Sequence, residues 1–122
     1  MASGREEFER QLKEMGIEPL AGQEGNRVAF DYFVSDGKFT GKQITVGFVV
    51  PPEFNRTPPG GPHISPRLLP MNPDGPDHAH RTAESEFGAD WQYLSRPYRG
   101  SWTGRKGVAD YLAHIDHLFA TL

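Results

Sequence analysis

"KQITVGFVVPP", residues 42–52, sets Ile44, Val46, Phe48 and Val50 at every second position and then stops on two prolines. Period-two alternation is what a strand with one buried face requires, because successive side chains leave opposite faces of the backbone. Pro51 and Pro52 have no N–H to give a ladder, so the strand ends with them. Just upstream, "NRVAFDYFV", residues 26–34, repeats the pattern through Val28, Phe30, Tyr32 and Val34, with Phe33 making its second face partly apolar. The turn-forming stretch "SDGKFTG", residues 35–41, joins the two runs, so they are expected to pair as an antiparallel hairpin.

Outward from this hairpin the periodicity changes. In "SGREEFERQLKEMGI", residues 3–17, Phe8, Leu12 and Met15 recur at helical spacing. Ser3 with Glu6 reads as a capping box, and Gly16 and Pro19 are stop signals. At the other end, Val108, Tyr111, Leu112, Ile115, Leu118, Phe119 and Leu122 form one apolar stripe, while Asp110, His114 and His117 take the opposite side. Such a helix packs on a sheet. From Pro51 to Pro76 the chain carries nine prolines, which leaves room for one short strand near His63–Ser65. An ordered surface loop to about Gly88 is expected to follow. A disordered linker fits less well, since folded sequence resumes beyond it. The expected class is α+β: an N-terminal helix, an antiparallel three- to four-stranded meander, a proline-rich loop and a C-terminal amphipathic helix.

The 122 residues suit a single domain, 1–122, with one core. A net charge of -3 gives no case for general nucleic-acid binding, which needs a basic surface to displace counterions from phosphate. There is no cysteine, so disulfides, thiolate–metal sites and thiol nucleophiles are excluded. No apolar run approaches the roughly 20 residues that span a bilayer, and the N-terminal stretch is polar. The expectation is a cytoplasmic protein with no membrane partner.

Several residues bear on chemistry. His78 and His80 in "DHAH", with Asp74 or Asp77, and the helical pair His114 and His117 are candidate metal ligands, but zinc needs three or four converging groups and nothing joins the two pairs. Solvated histidines are the simpler expectation, with no metal or other cofactor. No G-x-S-x-G elbow is present, and "PPGGPH" lacks the lysine and hydroxyl of a phosphate loop. Glu84, Glu86 and Asp90 in "AESEFGAD" read as solvated charges. "LSRPYRGSW", residues 94–102, differs in kind. Arg96, Arg99, Arg105 and Lys106 gather four positive charges without an acid among them, with Tyr98 and Trp102 interleaved. Near a helix N-terminus the macrodipole disfavours Arg105 and Lys106, so local stability does not explain them. Two readings stand: a solvated basic face whose aromatics belong to the core, or a binding surface for an acidic or phosphorylated partner with Arg96, Tyr98, Arg99, Trp102, Arg105 and Lys106 as its contacts.

The order of elements resembles the ubiquitin-conjugating (UBC) fold over most of the chain. "ITVGFVVPPEFNRTPPGGPHI", residues 44–64, is similar to that family's strand and its "PP-x-Y-P-x-x-PP" turn, with Pro51, Pro52, Phe54, Pro58 and Pro59 at matching positions. "SWTGRKGVADYLAHIDHLF", residues 101–119, looks like its tryptophan, short turn and amphipathic helix. "DWQYLSRPYRGSW", residues 90–102, resembles the W-x-x-x-S-R element of a bacterial UBC-like branch. The neighbours of that branch include ubiquitin-like modifiers, activating enzymes and metal-dependent deconjugating peptidases.

In active members a cysteine shortly before the tryptophan carries the modifier as a thioester. The corresponding place here is Tyr93 to Ser95, and no thiol is present. The family's "HPN" element also lacks a counterpart, since "HIS" and "HAH" have neither its proline nor its asparagine. The resemblance therefore implies a single non-catalytic UBC-like domain that binds a ubiquitin-like protein or its activating enzyme. The alternative is an enzyme, either Ser95-dependent modifier transfer through an oxyester or a metal-dependent hydrolase using His78 and His80. Serine needs an adjacent base to serve as a nucleophile, and the sequence names none beside Ser95. A structural subunit without a ligand of its own is a third option.

Overall fold

The computed structural model describes residues 4–54, 56–68, 82–94, 102–103 and 105–121. Seven elements follow in chain order: α1 (Gly4–Glu14), β1 (Arg27–Phe33), β2 (Gln43–Val49), β3 (His63–Ser65), β4 (Thr82–Glu84), β5 (Gln92–Leu94) and α2 (Val108–Thr121). The strands form one sheet in the order β1-β2-β3-β5-β4, with every neighbouring pair antiparallel. The α+β class, the hairpin, the short strand at His63–Ser65 and both helices are as the sequence predicts.

The sheet itself is larger than the expected meander of three or four strands. Only β1, β2 and β3 follow meander order; β5 then takes the place beside β3 and leaves β4 at the edge. β4 lies within the stretch expected to be loop as far as Gly88. At three residues each, β4 and β5 are too short to display an alternating pattern, so only their pairing defines them.

Both helices cover one face of the sheet. Ile44, Val46, Phe48 and Val50 of the opening stretch are all buried, as are Val28, Phe30 and Ile64. In α1, Phe8 sets its ring 5.6 Å from Phe48 and 5.1 Å from Phe54. In α2, Tyr111 meets Phe48 edge-on at 4.9 Å, and Phe119 stacks on Tyr32 at 5.6 Å. Tyr32 also donates its hydroxyl to Asp116 of α2. The N-terminus of α2 is satisfied from two directions: Gln11 of α1 accepts from the Val108 N–H at 2.8 Å, and Asp110 reaches back to the Gly107 N–H at 2.9 Å.

Met15 departs from its expected place in the core and is 44% exposed. α1 ends at Glu14, and Gly16 turns the chain with φ 81°, while the Ile17 N–H bonds the Leu12 carbonyl at 2.9 Å and the Gly16 N–H bonds that of Lys13 at 3.0 Å. This pattern is a Schellman motif. It swings Ile17, not Met15, back against the core. The Ser3 half of the expected capping box lies outside the described residues.

Candidate functional site

Two places in the fold carry groups with chemical potential. The first leads into α2. Leu94, the last residue of β5, is fully buried, and Trp102 packs its ring 6.3 Å from Phe54 and 6.1 Å from Tyr111. Between these two anchors Ser95, Arg96, Tyr98 and Arg99 lie outside the described residues. Arg105 and Lys106 are brought to the junction of the helices, where they share a shallow depression with Arg10, Gln11, Glu14 and Asp110. Glu14, paired with Arg10 at 2.6 Å, and Asp110, which accepts the Gly107 N–H, place two carboxylates in the same depression. Of the six candidate contacts, the described three divide between a half-buried ring on the core, Trp102, and two charges at the helix junction.

The second place is on the face of the sheet away from both helices. The register sets Gly47 of β2, His63 of β3 and Tyr93 of β5 in one cross-strand row. Directly paired residues share a face, and this row falls between the core-facing positions Val46 and Phe48, Ile64, and Gln92 and Leu94. Segment 85–91, between β4 and β5, folds back over the row. A Cβ placed on Gly47 would come 2.7 Å from the Phe87 ring and 3.2 Å from Trp91, so the bare backbone at Gly47 makes room for both. Phe87 and Trp91 lie 4.8 Å apart, and the Arg27 guanidinium sits 5.7 Å over Phe87.

His63 is held within this cluster. Its ring lies 4.7 Å from both Phe87 and Tyr93, and it is 6% exposed. Nδ1 is 2.7 Å from Ser85 Oγ, and that Oγ accepts the Phe87 N–H at 3.0 Å. Burial pushes the imidazole pKa down to about 4, with the Arg27 charge adding to the effect and Glu86 opposing it, so His63 is neutral at physiological pH. Beside it lies an open cavity of about 340 Å³ lined by Val49, Gly60, Gly61, His63, Glu86 and Tyr93.

Sequence reading did not find this cluster. Ser85 is 22 residues from His63, and no local motif marks the pair. Glu86 is exposed, as expected of a solvated charge, and stands 3.5 Å from Arg27. Asp90 is exposed, and the Glu84 side chain lies outside the described set, as do His78 and His80. His117 is exposed, while His114 is half-buried and meets the Tyr111 ring edge-on at 5.5 Å. Among the described residues, no three His, Asp or Glu side chains converge as metal ligands, and no helix is long and apolar enough to cross a membrane. No family model, curated protein or solved structure matches the chain.

Proposed function

We propose that this chain is a non-catalytic UBC-like domain that binds a ubiquitin-like modifier or the activating enzyme that handles it. The observation that carries the reading is the packing of Trp102 between Phe54, which follows the Pro51–Pro52 turn, and Tyr111 of α2. This ties the three segments on which the sequence resemblance rests into one aromatic cluster. The complete lack of cysteine supports binding over thioester transfer. In the sequence Arg96 and Arg99 precede Trp102, and Arg105 and Lys106 follow it, which suits an acidic face on the partner.

Titration calorimetry against a ubiquitin-like protein and against its activating enzyme tests the proposal. Saturable binding that weakens at least about tenfold in the Arg96→Glu/Arg99→Glu double variant is expected, because reversing two charges that face acidic groups replaces attraction with repulsion. Equal affinity in that variant would return the arginines to solvated surface, and absence of binding to both proteins would overturn the reading. The enzymatic alternative separates cleanly. A hydroxylamine-sensitive adduct formed with charged activating enzyme and lost in Ser95→Ala would replace binding with transfer.

A further inference from the structure

The cavity beside His63 is lined by acceptors. Glu86 offers a carboxylate and Tyr93 a hydroxyl. His63 is 6% exposed and, among the described residues, its ring hydrogen bond is made by Nδ1 to Ser85, so Nε2 is the nitrogen it has left to offer. In the tautomer that carries its proton on Nδ1, with Ser85 Oγ accepting it, the neutral ring presents a lone pair at Nε2. No cation lines the cavity among the described residues. The nearest, Arg27, lies in the adjoining depression, which shares Val49 and Glu86 with the cavity and adds the carboxylate of Glu24.

We propose that this cavity is a binding site for a primary alkylammonium group. The Glu86 carboxylate, the Tyr93 hydroxyl oxygen and, in the tautomer protonated at Nδ1, Nε2 of His63 match the three N–H donors of an ammonium ion. Val49 supplies apolar contact for the alkyl stem. Gly60 and Gly61 contribute no side chain to block the wall, and the volume of about 340 Å³ accommodates a four-carbon chain with water to spare. An anion or a guanidinium fits worse. The first meets the carboxylate of Glu86, and the planar fork of the second presents its donors to a single carboxylate and leaves the remaining acceptors unmatched. The group has two sources, a lysine side chain of a partner protein and a free small amine. This proposal does not rest on the binding function proposed above.

The test is an NMR titration of the isotope-labelled protein with n-butylammonium, with 1-butanol as the uncharged control. Saturable shifts are expected at Gly60, Gly61, His63 and Tyr93 with the amine and not with the alcohol. Glu86→Gln, an exposed isosteric change that leaves the fold intact, is expected to weaken binding about fivefold, the upper range for a solvent-exposed ion pair. N-acetyl-lysine N-methylamide distinguishes the sources: affinity equal to or above that of butylammonium points to a protein lysine, and loss of affinity points to a free amine. Shifts that do not saturate, that butanol reproduces, or that Glu86→Gln leaves unchanged would overturn the site.

Discussion

Val46, Phe48 and Ile64 turn one way from the sheet and meet the rings and aliphatic chains of α1 and α2, whereas Gly47 and His63 turn the other way and meet a seven-residue loop carrying Phe87 and Trp91. The helix side is a continuous apolar cluster drawn from both ends of the chain. The loop side is a smaller aromatic cluster with an imidazole at its centre and a cavity at its edge. A single strand residue separates the two environments. The difference teaches where this protein keeps stability and where it keeps polar chemistry: large apolar burial is non-directional and robust, while a buried histidine depends on one hydrogen bond and on staying neutral.

Three measurements press on that contrast. Phe48 touches rings from α1, β1 and α2, so Phe48→Ala is expected to cost about 3–5 kcal/mol in a urea unfolding experiment, the range for truncating a fully buried aromatic. A cost under about 1 kcal/mol would mean the helix side is not the main store of stability. The loop side should respond instead to acid. Because His63 titrates near 4 when folded and near the ordinary value for histidine when unfolded, the unfolded chain binds the extra proton between about pH 6.5 and 4. Stability is therefore full above about pH 6.5 and falls as pH drops through that window, by up to about 3 kcal/mol. His63→Phe should flatten this dependence, and a pH profile unchanged by the substitution would remove His63 as its source.

The smallest of the three effects concerns the space above Gly47. Gly47→Ala is expected to cost about 1–3 kcal/mol, because Phe87 and Trp91 must shift to admit a methyl group. Near-ultraviolet circular dichroism should report altered Trp91 packing while the far-ultraviolet signal of the helices is retained. An unchanged aromatic spectrum would show that the loop does not lie on Gly47 in solution.

The helix-side half of the molecule is readable in the chain because each element there is long enough to show a period. Seven-residue β1 and β2 and the 14-residue α2 display theirs fully, and the buried positions Val28, Phe30, Ile44, Val46, Phe48 and Ile115 follow directly. Met15 shows the limit of such reading, since helical spacing continued past Glu14 on paper while Gly16 redirected the backbone. The loop side has no period to read. Three-residue β4 and β5 gain their identity from partners far along the chain, and Tyr93 reaches His63 only because β5 pairs with β3. Trp102 was legible as a large apolar anchor, but its partners Phe54 and Tyr111 were not.

By itself the sequence determined that thiol chemistry is impossible here, that a hairpin and two amphipathic helices share a core, and that four basic residues gather around Trp102, because composition and short-range periodicity are properties of the chain alone. Only the tertiary structure decided that β5 lies between β3 and β4, that Ser85 holds His63, and that Glu86 and Tyr93 meet across one cavity. Those are contacts between segments that carry no local mark of one another. Strand pairing and the burial of the imidazole create them together, and the same burial keeps His63 neutral.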